Sequence, residues 1–181
     1  FWLENNFLTG SLPTEIGFLT GLLQLTFYNN KLTGTLPKEI GNLKNLVLLD
    51  GSINKFNGTL PVEMWFLTSL VTLTLNDNKL TGKLPTEIGQ LTNLVGFSLK
   101  NNFLTGSLPT EIGFLTGLTR FLFLYNNKLT GTIPTEVGFL GSLLLLHLVE
   151  NQLTGALPTE IGNLTNLKEF RAYSNHLNGT L

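Results

Sequence analysis

The sequence contains no cysteine, and charged residues make up only 13% of its 181 residues. The absence of cysteine excludes disulfide bonds, zinc–thiolate centres and a cysteine nucleophile. With a formal net charge of −1, the chain lacks the basic face that neutralises the phosphates of nucleic acids, and it lacks a polybasic membrane anchor. We therefore expect no nucleic-acid partner.

Long apolar runs are also missing. The longest covers residues 139–149 and contains polar interruptions, whereas a transmembrane helix needs about 20 apolar residues. No signal-peptide pattern is visible. Because the sequence begins at Phe1 and ends at Leu181 within repeating units, we interpret it as a fragment of a longer array that lacks its terminal caps.

What the sequence does contain is one repeating unit along its whole length. Its clearest marker is an asparagine followed by x-Leu-Thr-Gly or a close variant. The spacing is 24 residues, with one step of 25. These anchor asparagines are Asn6, Asn30, Asn54, Asn78, Asn102, Asn127, Asn151 and Asn175. Such a period predicts a solenoid, in which stacked units bury a continuous core that one unit alone cannot form.

Each unit also has an internal order of strand, turn and helix signals. Alternation in its Leu-x-Leu segment predicts a short strand with inward leucines, and successive strands should pair in parallel about 4.8 Å apart. The anchor asparagine is predicted at the following turn, where its amide would bond backbone groups of that turn and of the next rung. A later Pro-Thr-Glu segment, as at Pro85, predicts a short helical turn with a hydroxyl cap.

The unit Leu-x-x-Asn-x-Leu-Thr-Gly-x-Leu-Pro-Thr-Glu-Ile-Gly-x-Leu-Thr-x-Leu resembles the plant-type leucine-rich repeat, which is also frequent in algal proteins. The resemblance extends over residues 1–181 and implies one array of about seven to eight repeats. It implies an α/β repeat solenoid, the right-handed horseshoe with a parallel concave β-sheet and short helical or irregular convex segments.

The same resemblance implies a function in recognition. Receptor-like and polygalacturonase-inhibitor-like proteins of this kind bind a protein, peptide or glycan, which makes an extracellular or cell-surface location the expectation here. Three Asn-x-Thr sequons, at Asn57, Asn163 and Asn178, would be glycosylation sites in such a protein. Chance explains them equally well, because the repeat is rich in asparagine and threonine.

Residues that carry chemistry are few. Asp50 and Asp77 lie one rung apart, and His147 and His176 fall in adjacent rungs. Neither pair is accompanied by a further ligand or a placed base, and the glutamate found once per unit is a structural position. We therefore expect no catalytic site, no metal site and no cofactor.

Variable outward positions on the concave strands are the natural place for specificity. These positions are mostly polar in the first half of the chain but apolar and aromatic in two later rungs. Clustered aromatic residues supply much of the energy of many interfaces. We predict that the ligand contacts Phe121, Phe123, Tyr125, Leu145, His147, Val149, Arg171 and Tyr173.

Other faces leave further interpretations open. In Leu-Thr-Gly-x-Leu, alternation directs a threonine ladder outward from Thr9 to Thr154, and its regularity is broken by Asn57, by Lys83 and, beyond Thr154, by Asn178. Because this ladder resembles the faces of ice-binding solenoids, the alternative function is that of an ice-binding or surface-structural protein. A lysine column after the anchor asparagines, from Lys31 to Lys128, favours an acidic partner or is a solvated rim.

Three irregularities give local predictions. Gly51 replaces an inward leucine, and we expect the ring of Phe56 to fill the space. The extra residue of the longer step is predicted to lie between Leu118 and Leu122, as a bulge near residues 119–121. Trp65 and the phenylalanine after it would either cover the edge of the core or form a lateral docking surface.

Overall fold

The computed structural model describes residues 1–180, which form a stack of rungs built on parallel strands. Leu181, the last residue of the predicted array, lies outside the described residues. Each full rung contains a concave strand, a turn with the anchor asparagine, an outer strand and a short helix. The predicted solenoid of parallel strands is confirmed.

The concave sheet contains parallel strands that follow one another in chain order. They are Gln24–Thr26, Leu48–Asp50, Thr72–Thr74, Gly96–Ser98, Phe121–Phe123, Leu145–His147 and Glu169–Arg171. Their middle residues, from Leu25 to Phe170, face the core. The flanking residues of each strand point away from it, which agrees with the predicted alternation.

Two outer sheets, also parallel, lie beyond the turns. The first outer sheet contains Thr9–Gly10, Lys31–Gly34, Lys55–Thr59 and Lys79–Thr81. The second outer sheet contains Thr105–Ser107, Lys128–Gly131, Gln152–Gly155 and His176–Leu177. A bridge between Lys83 and Thr105 links them. The repeated glycine of these segments has positive φ, 75° at Gly34, which explains why no larger residue recurs there.

The convex side carries 3-10 helices, each directly after a proline in extended conformation. They are Thr14–Phe18, Lys38–Asn42, Val62–Phe66, Thr86–Gln90, Thr110–Phe114, Thr135–Phe139 and Thr159–Asn163. Within residues 1–180, no helix has the length and apolar character needed to cross a membrane. The predicted hydroxyl caps are wrong: threonine is the first helical residue, and Thr86 Oγ1 donates to Glu87 Oε2 at 3.3 Å instead.

Six of the eight anchor asparagines, from Asn30 to Asn151, are buried, and they connect neighbouring rungs. The Nδ2 atom of Asn78 donates to Leu75 O at 3.2 Å and to Asn76 O at 3.0 Å, both in its own turn. It also donates to Gly51 O at 3.1 Å, while Oδ1 accepts from Phe56 N at 3.0 Å. The bonds within the turn are as predicted. The other rung to which the asparagine bonds is the preceding rung and not the next one, because the side chain points back towards the preceding turn.

The packing of the core beside Gly51 differs from the packing that we predicted. A Cβ atom at Gly51 would collide with the Phe27 ring and would lie 2.9 Å from Leu75 Cδ2. Phe56 is fully buried and packs edge-on against Phe27, with ring centroids 5.6 Å apart. The prediction that Phe56 fills this space directly is therefore wrong. Phe27, which occupies the position of Gly51 one rung earlier, extends into it.

The extra residue of the longer step lies where it was predicted. Arg120 N donates to Val95 O at 3.0 Å, and the concave strand resumes at Phe121 in register with Gly96. The exposed Thr119 is the additional residue between Leu118 and this bond. The bulge is thus confined to one residue, and both flanking rungs keep their geometry.

Trp65 belongs to the core. It is fully buried in the position that glycine holds in the other helices, and its ring meets Phe97 edge-on at a centroid distance of 6.4 Å. Phe66 beside it remains 45% exposed. Of the two interpretations left open, Trp65 therefore covers the edge of the core, whereas Phe66 stays at the surface.

We predict that Asn78→Ala and Asn102→Ala each lower the free energy of unfolding by roughly 1–3 kcal/mol, because buried backbone groups lose their partners. Both asparagines make the same bonds. Chemical denaturation measures the change. Thr130→Ala, at an exposed position of an outer strand, serves as the control and should change stability by less than about 0.5 kcal/mol. Parent-like unfolding of both asparagine variants would refute the role of the ladder.

Candidate functional site

Six of the eight predicted binding residues meet around one depression of the concave surface, which we call the aromatic groove. Its volume is about 330 Å³. It is lined by Asn101, Phe123, Tyr125, His147, Val149, Glu150, Arg171 and Tyr173. Phe121 and Leu145 pair with each other at the start of their strands and lie beside the groove rather than in its lining.

Strand register brings the groove residues together. Phe123 pairs with His147, and His147 pairs with Arg171 on the next strand. Because neighbouring strands lie about 4.8 Å apart, outward side chains at matching positions must touch. Three consecutive rungs therefore form one continuous surface, which extends the two apolar rungs identified in the sequence by a third.

The rings of the groove stack on one another. The Phe123 ring lies 5.0 Å from the Phe121 ring and 4.5 Å from the His147 ring, at interplanar angles of 22° and 19°. Tyr125 is tilted against both Phe123 and His147, at centroid distances of 6.1 and 6.2 Å. Because Phe121 and His147 both stack on it, the Phe123 ring offers mainly its edge to the groove.

Because of this stacking, the site is less exposed to solvent than the sequence predicted. Phe121, Phe123 and Tyr125 are half-buried rather than fully exposed. Val149 lines the groove and is not part of the core cluster, but it is only 6% exposed because its neighbours cover it. The physical reason is the short distance between strands, across which large side chains cover a small neighbour. Tyr173, at 62% exposure, is the most open aromatic side chain of the groove.

One carboxylate connects the polar side chains of the groove. Glu169 contacts Arg171 through Oε1, and its Oε2 lies 3.1 Å from His147 Nε2. That nitrogen is enclosed but is not aligned for a hydrogen bond. Partial desolvation raises the pKa of Glu169, but the contacts with His147 and Arg171 outweigh it and hold the pKa below its ordinary value.

The opposite side of the groove carries a cation. Lys100 Nζ lies 5.4 Å from the centroid of the Tyr125 ring. The neighbouring Tyr125 side chain raises the pKa of Lys100 above its ordinary value, against the opposing effect of partial burial. The groove thus places apolar ring edges between a lysine and an arginine–glutamate pair.

Two lining residues, Asn101 and Glu150, were not among the predicted ones. Both directly precede an anchor asparagine and have positive φ, 54° and 52°. Strand alternation does not reach this turn position, so the prediction omitted it. The recurrence of asparagine there, as at Asn5 and Asn29, is the sequence signal for a left-handed turn that would have indicated them.

The weaker candidates are separated by the fold. His147 lies on the concave sheet and His176 on the second outer sheet. Asp50 Oδ1 accepts from Ser52 N at 3.0 Å, and Asp77 Oδ1 accepts from Asn101 Nδ2. In the described part of the chain, no group of three or more metal-ligating His, Asp or Glu residues comes together.

Side chains at the three sequons are accessible. Asn57 lies on an outer strand, Asn163 ends a 3-10 helix, and Asn178 follows the last outer strand. All three are exposed. Accessibility is necessary for glycosylation but does not establish it, so these sites remain predictions.

Comparison with protein families gives a match to the family described as Leucine Rich Repeat, over residues 21–43, 69–91 and 119–140. A search among curated proteins finds no matching sequence.

Solved structures similar to this chain include two plant receptor ectodomains. The first is the leucine-rich-repeat ectodomain of the membrane receptor kinase GASSHO1/SCHENGEN3 from Arabidopsis thaliana, in complex with CASPARIAN STRIP INTEGRITY FACTOR 2. It is 38% identical with a TM-score of 0.95, and the match covers 97% of this chain and 21% of that chain. The second is the Arabidopsis receptor kinase HAESA, in complex with the peptide hormone IDA and the co-receptor SERK1. It is 37% identical with a TM-score of 0.93, and the match covers 98% of this chain and 29% of that chain.

A plant ice-binding protein is a further similar structure. It is 28% identical with a TM-score of 0.75, and the match covers 99% of this chain and 64% of that chain. The chain thus spans less than a third of either receptor ectodomain and about two thirds of the ice-binding protein.

We predict that Glu169→Gln lowers stability at neutral pH and that its difference from the parent shrinks in acid. A carboxyl group whose folded-state pKa is depressed stabilises the fold above its ordinary pKa of about 4.3. That contribution is lost as pH falls through the folded-state pKa. Thermal unfolding of both proteins at about pH 7 and about pH 3 measures it. Glu63→Gln, on an exposed residue of the convex side, is the matched charge removal. A Tm difference that persists unchanged in acid would contradict the assignment.

Proposed function

Because the chain belongs to the plant-type leucine-rich-repeat family, we propose that it is a non-catalytic recognition module that binds a protein, peptide or glycan in the aromatic groove. The observation that carries the proposal is the convergence of Phe123, Tyr125, His147 and Tyr173 around one concave depression. Such a surface, apolar at its centre and polar at its rim, is the usual anatomy of a binding site.

Within these three classes, a peptide is the ligand we favour. The similar ectodomain of HAESA is in complex with a peptide hormone. The ring faces of Phe123 are engaged by Phe121 and His147, which leaves little platform for a sugar to stack on. Ring edges around a depression of about 330 Å³ suit instead an apolar side chain of an extended peptide. Arg171 and Glu169 would orient it from the rim.

The proposed setting is extracellular or at the cell surface. The similar structures named above include ectodomains of plant receptors, and the asparagines of the three sequons are accessible in this chain. Retention of the purified secreted protein on a lectin, lost after removal of N-linked glycans, would support this setting.

We predict that the double variant Phe123→Ala/Tyr125→Ala loses at least about tenfold in affinity for peptides selected by the parent protein, because central aromatic residues carry most of an interface's energy. A random peptide library is selected on the immobilised parent, and titration calorimetry compares the two proteins. Thr81→Ala/Thr105→Ala, on the outer sheets, is the control and should bind as the parent does. The proposal fails if the aromatic variant keeps the peptides while the threonine variant loses them.

A second candidate function is ice binding through the second outer sheet. Its specific support is the exposed hydroxyl ladder, which here includes Thr105, Thr130, Thr132 and Thr154, together with the similarity to a plant ice-binding protein. On this interpretation the parallel strands would hold hydroxyl and methyl groups in a regular array against ice.

If the second candidate is right, the purified protein shows thermal hysteresis, and Thr130→Lys/Thr154→Lys abolishes it because each lysine places a hydrated charge within the array. Phe123→Ala/Tyr125→Ala should leave the hysteresis unchanged. If the parent protein shows no more thermal hysteresis than albumin at the same concentration, the ice-binding function is excluded.

A further inference from the structure

The first outer sheet carries a row of lysines that the aromatic groove does not use. Lys31, Lys55 and Lys79 each begin a strand of this sheet in consecutive rungs. Their inward neighbours, such as Phe56, are buried, whereas all three lysine side chains are exposed. Strand pairing in this sheet is shifted by two residues, so that Lys55 lies beside Thr33 and Lys79 beside Asn57. The ammonium groups therefore form an oblique row with one positive charge per rung.

No ion pair among the described residues neutralises this row, and Asp77, two residues before Lys79, accepts a hydrogen bond from Asn101 Nδ2 instead. Ion pairs in the described part of the chain involve His147 and Arg171 with Glu169, and the three lysines take part in none. No Asp or Glu occurs within the strands Lys31–Gly34, Lys55–Thr59 or Lys79–Thr81. Lys31 has an aromatic neighbour, the Phe7 ring, at 5.1 Å from its Nζ. Like charges that recur once per rung repel one another, which favours an anionic partner that neutralises them together.

Beside the lysines stand uncharged hydrogen-bonding groups. Thr33, Asn57 and Thr81 lie two residues further along the same strands, on the same outward face, and are exposed. Each rung therefore presents an ammonium group and then a hydroxyl or amide group. The second outer sheet differs, because Phe103 and Gln152 occupy two of the equivalent positions and Lys128 is the lysine it retains.

We propose that the first outer sheet binds a linear anionic polysaccharide that lies across the rungs. An exposed ion pair is worth little by itself, so a useful affinity needs a ligand that repeats its charge along its length. A polysaccharide with one carboxylate per sugar supplies that repeat, and its hydroxyl groups match the row of Thr33, Asn57 and Thr81. This site is independent of the aromatic groove and of the function proposed for it.

Two other polyanions fit the surface less well. Single-stranded nucleic acid is held by several aromatic side chains on which successive bases stack, whereas the lysine row has a single aromatic neighbour, Phe7, at its Lys31 end. An acidic protein segment would be anchored by side chains that enter pockets, whereas this face is a regular sheet surface. Both classes are included in the test as competitors.

The test measures alginate binding by calorimetry at low and at physiological salt, with neutral dextran as the uncharged probe. The parent should bind alginate in a salt-dependent manner and should not bind dextran. Lys31→Gln/Lys55→Gln/Lys79→Gln should weaken alginate binding at least about tenfold, which corresponds to about 1.4 kcal/mol. The matched control Lys38→Gln/Lys44→Gln/Lys168→Gln removes the same charge from exposed positions elsewhere and should keep most of the affinity.

Two further variants make the result decisive. Replacing the three lysines by arginine preserves the charge row and should retain binding, which separates loss of charge from loss of fold. Phe123→Ala/Tyr125→Ala should bind alginate as the parent does, so a failure of the groove proposal leaves this one unaffected. Equal losses in both glutamine triples would overturn the site. Polyglutamate or oligo-dT binding as tightly as alginate would overturn the assignment to a polysaccharide.

Discussion

The fold depends on the hydrogen bonds of the anchor asparagines. Each buried amide donates to carbonyl groups of its own turn and of the preceding turn, and its oxygen accepts from the backbone of the preceding rung, as Asn102 does with Leu99, Leu75 and Leu80. Turns of a solenoid would otherwise leave buried backbone groups without partners, which costs about 1–3 kcal/mol each. The ladder therefore fixes where each turn lies, and with it the register of both strands in the rung.

A fixed register explains how the surface positions arise. Once the turn is set, the inward residues of the concave strand are committed to the core, and the flanking residues are free to vary. At Phe123 and His147 the same spacing that pairs the backbone brings two rings to 4.5 Å. The groove is thus a consequence of placing large side chains at matching positions of neighbouring strands. No special loop or insertion builds it, since the bulge at Thr119 ends before the strand begins at Phe121.

Periodic features could be predicted from the sequence because one physical rule repeats in every rung. Strand positions, outward threonines, the location of the extra residue and six residues of the groove follow from the 24-residue period and from alternation. Departures occurred where a long side chain reaches beyond its own rung. Phe27 fills the space beside Gly51, and neighbouring side chains cover Val149. The repeat period predicts the position of each Cα atom and the side of the sheet on which its side chain lies, but not how far that side chain extends into a neighbouring rung. Strand alternation also does not apply to turn residues such as Glu150.

Binding surfaces on this scaffold are separable for a physical reason. In a solenoid each rung contacts only its neighbours, so stability is a sum of local interfaces. Exposed substitutions on the first outer sheet, at Lys55 for example, therefore leave the packing around Phe123 three rungs away undisturbed. In the early rungs the concave side is mostly polar and the outer sheet is cationic. In the later rungs the concave side is aromatic and the outer sheet is rich in hydroxyl groups. Substitutions at outward positions do not disturb the core, so one array can carry two chemically different surfaces. Each surface can therefore be removed by substitution while binding to the other is measured.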